Sequence, residues 1–265
     1  MRPYRHVYLE PHFDDVALSC GGQVRLQTAR GEAVLVVTLF AGDPGAGAAV
    51  TAFAAGQHAR WGGHGDPIAE RRAEQRAALA ALGADWLPLD HFDAIYRGDQ
   101  YLSDDDLFGP VKPGDAGLVE AIGAELAAAA VENPGAAWYA PLGVGNHVDH
   151  QLALRAAQAA RLAPLWLYED FPYAAQRPVE PIARALGARA ASTTDIGGGL
   201  EAKIAAIGCY RSQIPTLFGD AERMVEAVRS FALARGRGRP AERYWRLRTD
   251  SAGRRVLDSK TDRPA

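Results

Sequence analysis

The chain has 265 residues, of which 48% are hydrophobic, and a formal net charge of −3 at pH 7. This length is enough for one large α/β domain or two small ones, and the charge argues against a general nucleic-acid-binding protein. No stretch approaches the roughly 20 apolar residues of a membrane span, and the N-terminus has no apolar signal region. Because Cys20 and Cys209 lie far apart and form no disulfide framework, we expect a cytoplasmic protein.

Strand-like and helix-like segments alternate along the first two thirds of the chain. The predicted strands are residues 7–9, 33–40, 86–89, 138–141 and 165–168, and the predicted helices are residues 15–30, 67–82, 116–131 and 149–161. The second strand is a continuous apolar and β-branched run, which is typical of a strand buried on both faces of a parallel sheet. The pattern predicts an α/β fold with a Rossmann-like, mostly parallel β-sheet flanked by helices. No Gly-x-Gly-x-x-Gly follows the first strand, so no dinucleotide is implied.

The C-terminal third has a weaker pattern. Residues 201–211 and 221–234 are predicted as helices and residues 243–247 as an added strand, within an irregular C-terminal extension. We expect a single domain over residues 1–250, followed by a polar tail at residues 251–265. Two segments, 41–66 and 90–113, are predicted as a long loop and an irregular insertion, respectively.

A polar cluster follows the first predicted strand. His12, Asp14 and Asp15 stand within four residues at the C-terminal end of that strand, where open α/β sheets bind their ligands. A histidine and two carboxylates can bind a divalent metal and still leave one carboxylate free to act as a base. Taken alone, the same residues fit equally well a core histidine and a helix cap.

A second cluster follows the predicted strand at residues 138–141. His147 and His150 are three residues apart, so they can share one face of a helical turn. Three protein ligands and an open position are typical of catalytic zinc, which lowers the pKa of bound water to about 7. Asp149 is better explained as a hydrogen-bond partner of a ligating histidine, or as a helix cap, than as a third ligand.

Together, the two clusters resemble the PIG-L, or LmbE-like, family of zinc-dependent N-acetylglucosaminyl deacetylases. The family pattern Pro-His-x-Asp-Asp is present at residues 11–15, and His-x-x-His is present at residues 147–150. Phe13 and Val16 stand where many members have Pro and Glu, but neither is a proposed ligand. The resemblance implies an LmbE-like fold over most of the chain. Further similar phrases are residues 71–74, 168–173 and 210–213.

The resemblance and the chemistry of the side chains imply separate roles for five residues. His12, Asp15 and His150 are expected to bind Zn²⁺ or another divalent metal. Asp14 is expected to act as the general base that takes a proton from the metal-bound water. His147 is expected to polarise the amide or to stabilise the tetrahedral oxyanion.

The resemblance also implies the substrate, an N-acetylated amino sugar of the GlcNAc type that is hydrolysed to acetate and the free amine. Arg71 matches the family's helix arginine and is expected to contact sugar hydroxyls, although Arg71 and Glu74 equally fit a solvated helix pair. Two alternatives stay open: a metal-dependent hydrolase of another bond, such as another amide or a phosphoester, and a non-catalytic small-molecule-binding domain on the same fold. We expect no nucleic-acid or membrane partner, and a homo-oligomer is left open.

Several other polar residues lie in the two long connecting segments. Asp93, Tyr96 and Arg97 are predicted to lie on the surface rather than to contact the substrate. His58 and His64 are predicted to be bystanders in a flexible loop. No role in the chemistry is assigned to these five residues.

Overall fold

The structure is a computed structural model that describes residues 3–45, 48–62 and 65–247. In these residues, seven β-strands form one sheet in the order β3-β2-β1-β4-β5-β7-β6. Strands β1 to β5 are parallel, and β7 runs antiparallel to β5 and to β6. The strands are His6–Glu10 (β1), Val34–Thr38 (β2), Asp85–Pro88 (β3), Ala137–Pro141 (β4), Leu165–Tyr168 (β5), Ala188–Asp195 (β6) and Ala241–Leu247 (β7).

Helices cover both faces of the sheet. They are Asp15–Ala29 (α1), Ala52–Arg60 (α2), Pro67–Leu82 (α3), Asp104–Leu107 (α4), Leu118–Glu132 (α5), Val148–Ala159 (α6), Tyr173–Gln176 (α7), Val179–Ala185 (α8), Leu200–Ile207 (α9), Ile214–Leu217 (α10) and Ala221–Arg235 (α11). Because side chains alternate along a strand, Val7 and Leu9 pack toward α5 and α6, whereas Tyr8 packs toward α1, α3 and α9. Within the described ranges, no helix combines the length and apolar character that crossing a membrane requires.

The predicted α/β fold with a mostly parallel sheet is confirmed. The five strands and the helices predicted along the chain are present, with ends shifted by a few residues. The seven strands of the described residues share one sheet, and the single domain over residues 1–250 stays a prediction. The tail predicted at residues 251–265 lies outside the described residues.

Two segments are more regular than predicted. The segment 41–66 contains α2, whose first turn is capped by the Thr51 side chain, which accepts a hydrogen bond from the amide of Ala54. The C-terminal extension contains β6, which pairs with β7 at the edge of the sheet. Small and polar residues dominate β6 (ARAASTTD), so it carries no apolar run that would indicate a strand.

The strand order positions one edge of the sheet for ligand binding. β1 lies between β2 and β4, so the chain leaves β1 toward one side and returns to its other side after two more strands. At such a reversal, the loops after the two central strands diverge and open a crevice. The segment after Glu10 and the segment after Pro141 therefore meet at this edge, and each carries one of the two predicted clusters.

A buried ion pair joins the C-terminal part of the chain to the first helix. Lys203 Nζ lies 2.7 Å from Glu242 Oε1, and both side chains are 4% exposed. Glu242 also accepts hydrogen bonds from the backbone amides of Gly22 and Gln23. The pair therefore fastens α9 and β7 to α1, whose first residue is one of the predicted ligands.

We expect Lys203→Met to destabilise the protein by about 3–5 kcal/mol, since the substitution leaves the buried Glu242 carboxylate without its counter-charge. Urea unfolding followed by circular dichroism measures this loss. The matched control is Arg229→Met, because Arg229 pairs with Glu201 at 2.8 Å with side chains 42% and 72% exposed. An exposed pair contributes about 0–1 kcal/mol. Equal losses in the two variants would contradict the prediction.

Candidate active site

A cleft of about 350 Å³ opens where the segments after β1 and β4 meet. The turn after β1, the loop after β4 and the short helices α2, α4 and α10 surround it, and α3 contributes one side chain. Five of the six predicted site residues line the cleft: His12, Asp14, Asp15, Arg71 and His147. The sixth, His150, lies beneath them and is 1% exposed.

The turn after β1 carries two neighbouring carboxylates that differ in their hydrogen bonding. Asp14 is the N-cap residue of α1 with φ 109° and ψ −31°, a left-handed conformation that costs a non-glycine residue about 1–3 kcal/mol. Its side chain makes no capping hydrogen bond, and no described residue donates a hydrogen bond to it. Asp15 instead accepts a hydrogen bond from the His12 amide at 2.9 Å. The Asp14 carboxylate is therefore left available to the cleft.

The spacing of the donor atoms around Asp15 fits a metal ion. Asp15 Oδ2 lies 3.5 Å from His12 Nδ1, and Asp15 Oδ1 lies 3.4 Å from His150 Nε2. Two ligands about 2.1 Å from a tetrahedral ion are about 3.4 Å apart. Each distance matches this value separately, and the two distances involve different oxygens of Asp15. One ligand atom each from His12, His147 and His150 also lie within 4.8 Å of one another. The structure thus brings all the predicted ligands together, and with them His147.

A carboxylate orients each of the two predicted histidine ligands. Asp149 Oδ2 lies 2.9 Å from His12 Nε2, and Asp170 Oδ1 lies 2.7 Å from His150 Nδ1. Each contact fixes the ring so that its other nitrogen faces Asp15, which is the common arrangement behind metal-binding histidines. Asp149 is in turn held by the Arg97 guanidinium at 2.6 Å. Asp149 therefore has the hydrogen-bonding position that the sequence indicated.

The pKa values of the two neighbouring aspartates differ strongly. Burial, together with the adjacent Asp15 carboxylate, raises the pKa of Asp14 to about 7. Although burial also opposes ionisation of Asp15, the nearby His150 and His12 lower its pKa to about 2. Paired carboxylates whose environments separate their pKa values in this way are typical of sites where one holds charge and the other moves a proton.

His147 is the N-cap residue of α6. Its Nδ1 accepts a hydrogen bond from the amide of Asp149 at 3.2 Å, so the ring proton resides on Nε2. Burial and the neighbouring His12 lower the pKa of His147 well below its usual value of 6.5. The ring also packs edge-on against His12, with centroids 4.8 Å apart. His147 can therefore donate a hydrogen bond from Nε2 without carrying a positive charge.

Arg71 reaches the cleft from α3, and it does not form the solvated helix pair that the sequence also allowed. It is 5% exposed, its guanidinium lies 4.6 Å from the Trp61 ring, and Nη2 donates to the Phe13 carbonyl at 3.1 Å. Glu74 points elsewhere and accepts two hydrogen bonds from Ser212. Arg71 lines the cleft, and its buried Nε has no hydrogen-bond partner among the described residues.

The prediction that Asp93 and Arg97 lie on the surface is wrong. Asp93 lines the cleft with Oδ2 3.7 Å from His12 Nε2, and the Arg97 side chain is only 8% exposed. The insertion that carries them folds back over the edge of the sheet, and no local sequence pattern indicates that path. His58 lies in α2 rather than in a flexible loop, and its Nε2 is 2.6 Å from the Tyr96 hydroxyl. His64 lies outside the described residues.

Asp170 is a functional candidate that the sequence analysis did not assign. It lies two residues after the end of β5, the neighbour of β4, at the same edge of the sheet as the two clusters. Its second oxygen accepts a hydrogen bond from the amide of Val144 at 2.8 Å. The position of a buried carboxylate just after a parallel strand was the available signal, because such positions meet at one edge.

The chain is similar to a family of de-N-acetylases and to proteins named as deacetylases. The PIG-L family model, described as GlcNAc-PI de-N-acetylase, matches residues 7–161. The chain is 33% identical to 2'-N-acetylparomamine deacetylase of Streptomyces fradiae, over 96% of this chain and 85% of that protein. It is 28% identical to the protein of the same name from Niallia circulans, over 97% of this chain and 96% of that protein.

A solved structure extends the similarity to most of the fold. The zinc-inhibited form of teicoplanin deacetylase Orf2 matches with a TM-score of 0.80 and 26% identity, over 93% of this chain and 99% of that chain. The matched family region includes both histidine-containing clusters, and the curated relatives span nearly the whole chain. From its sequence, its fold and the geometry of its cleft, the chain belongs to the PIG-L family of N-deacetylases.

Proposed function

We propose that the protein hydrolyses the acetamide of an N-acetylated amino sugar within a larger conjugate and releases acetate and the free amine. The observation that carries this proposal is the Asp14–Asp15 turn, in which one carboxylate faces two histidine nitrogens and its neighbour is left without a hydrogen bond. The curated relatives, which are deacetylases of 2'-N-acetylparomamine, support this class of reaction.

The donor set fits a zinc ion. His12, Asp15 and His150 would hold it, because two imidazoles and a carboxylate are a common ligand set of catalytic zinc. When bound, the ion would lower the pKa of water and polarise the acetyl carbonyl. His147 remains outside this set in our proposal, since three protein ligands already leave an open position and a fourth would close it.

Asp14 and His147 divide the proton transfer and the stabilisation of charge. Asp14 takes a proton from the attacking water and returns it to the departing nitrogen, so that the products are acetate and an amine. The Nε2–H group of neutral His147 donates to the carbonyl oxygen as negative charge develops on it. The free Asp14 carboxylate and the tautomer of His147 support these roles.

Arg71 and the outer part of the cleft bind the rest of the substrate. The Arg71 guanidinium, which lines the cleft, donates to a sugar hydroxyl, as the family's helix arginine also led us to expect. Gln57, Trp61 and Gln213 also line the cleft, whose volume of about 350 Å³ supports a conjugated sugar rather than a monosaccharide. The free thiols Cys20 and Cys209 support a reducing compartment such as the cytoplasm.

Acetate release from a panel of substrates tests the proposed reaction. The zinc-loaded protein is assayed with 2'-N-acetylparomamine, with free N-acetylglucosamine and with an N-acetylglucosamine-bearing glycopeptide, and p-nitrophenyl phosphate serves as the phosphoester. We expect acetate from a conjugate, a lower rate with the free sugar, and loss of activity after chelation. Phosphate release without acetate release would overturn the proposal.

Asp14→Asn should retain zinc and lose about 10²–10⁴-fold in kcat, because an amide cannot accept the proton. Asp15→Asn should instead weaken zinc binding, since it removes a ligand oxygen that lies between two histidines. Metal content by mass spectrometry, together with kcat, separates the two effects. Equal loss of zinc in both variants would contradict the division between base and ligand.

His147→Ala should lose roughly 10²–10³-fold in kcat, which is the scale of one lost oxyanion donor. Its affinity for zinc should change far less than that of His150→Ala, which serves as the matched ligand variant. Competition with a chelating dye measures both affinities. If His147→Ala loses zinc as His150→Ala does, then His147 is a ligand, as the close approach of the three histidines also allows.

Arg71→Lys should raise KM for the conjugate about tenfold and leave zinc content unchanged, because a charged hydrogen bond contributes about 1.5–3 kcal/mol and lysine replaces it only in part. The control is Arg76→Lys on the exposed face of the same helix, where the guanidinium lies over Trp86. Initial rates at varied substrate concentration measure KM. The role is excluded if both variants keep the wild-type KM.

A further inference from the structure

The N-terminus of α1 is not capped by the side chain of its own N-cap residue. The first backbone amides of a helix lack partners within the helix, and an aspartate at the N-cap usually accepts a hydrogen bond from one of them. Asp14 occupies this position in α1 but makes no such bond, and its backbone has φ 109°. A residue in so unfavourable a conformation persists only when its surroundings fix it. Another group must therefore stabilise the first turn of α1.

Glu10 provides the missing acceptor from the end of β1. Its carboxylate is fully buried, and Oε2 accepts a hydrogen bond from the amide of Val16 at 3.1 Å. Oε1 accepts hydrogen bonds from Thr38 Oγ1 at 2.6 Å and from Gln75 Nε2. All three contacts are donors, which matches a carboxylate with two accepting oxygens. Glu10 thus caps α1 from a neighbouring strand.

The other hydrogen bonds of the turn leave Asp14 as its least anchored side chain. The Phe13 carbonyl accepts from Arg71, and the Asp15 carboxylate accepts from the amide of His12. Within the described residues, the hydrogen bond of Asp14 is made by its backbone carbonyl, which accepts from the amide of Leu18 at 2.9 Å. If the cap from Glu10 is removed, the Asp14 carboxylate is the nearest replacement acceptor for the first amides of α1.

We propose that Glu10 is a positioning residue that caps α1 in place of Asp14 and thereby keeps the Asp14 carboxylate free in the cleft. The catalytic part of this inference rests on the function proposed above, whereas the structural part does not. Because Asp15 has its own hydrogen bond to the His12 amide, its position as a ligand does not depend on Glu10.

Glu10→Gln tests this role. The amide offers one accepting oxygen and one NH₂ group, so it cannot accept from Val16 on one side and from Thr38 and Gln75 on the other. We expect kcat to fall about tenfold, while KM and the zinc content per folded molecule stay unchanged. In a crystal structure of the variant, Asp14 should leave the positive-φ region and cap α1, and the amide of Val16 should exchange faster with solvent. Glu10→Asp, which keeps the carboxyl group but is shorter, should change kcat in the same direction.

The matched control is Glu242→Gln. Glu242 is also buried and also accepts hydrogen bonds from backbone amides of α1. These amides belong to Gly22 and Gln23, which lie away from the first turn of that helix. We expect a lower melting temperature for this variant and an unchanged kcat per folded molecule. An equal loss of kcat in both variants would reduce Glu10 to a structural residue, and an unchanged Asp14 conformation in Glu10→Gln would overturn the proposal.

Failure of the inference is distinguishable from failure of the proposed function. If the wild-type protein releases no acetate from any substrate, the function is wrong, but the crystal structure and the exchange rate of Val16 still test the cap. If acetate is released and Asp14 keeps its conformation in both Glu10 variants, only the positioning role is wrong.

Discussion

A buried chain of alternating carboxylates and imidazoles is the interaction on which the rest of the site depends. It runs from Asp149 through His12, Asp15 and His150 to Asp170, with successive polar atoms 2.7–3.5 Å apart. Each imidazole thus lies between two acids, so its orientation and its hydrogen bonding are fixed before any ion binds. In a site with so little exposure, removing one member would leave its neighbour as an unpaired buried charge.

The strand order of the sheet brings the members of this carboxylate–imidazole series together. His12 and Asp149 are 137 residues apart in sequence and become neighbours because β4 pairs directly with β1. Asp170 joins them because β5 pairs with β4 and ends at the same edge. Because these three strands are parallel, the polar residues that follow their C-terminal ends lie at the same edge of the sheet, while the apolar residues of the strands lie in the core.

The sequence predicted the parts of the fold and of the site that are specified locally. β2 is apolar throughout, and α3 has a capping aspartate before it and a glycine after it, so both are recognisable without tertiary information. The histidine and aspartate clusters were found for the same reason.

The features that were missed depend on distant contacts. α2 is a short helix in an alanine- and glycine-rich segment, and β6 is an edge strand of small and polar residues. Asp93 reaches the cleft, and Arg97 reaches Asp149, because their connecting segment folds back over the sheet. Nothing within that segment distinguishes such a path from an exposed one.

Because the backbone of Asp14 is left-handed, the residue that would favour stability at this position differs from the residue that favours function. Glycine adopts φ 109° without steric cost, so on stability alone it is the favoured residue at this position. A selection that rewarded only thermal resistance would therefore drift toward glycine here and yield a robust fold with an impaired cleft. The presence of aspartate in a conformation that suits glycine is the cost expected where the carboxylate is needed for chemistry.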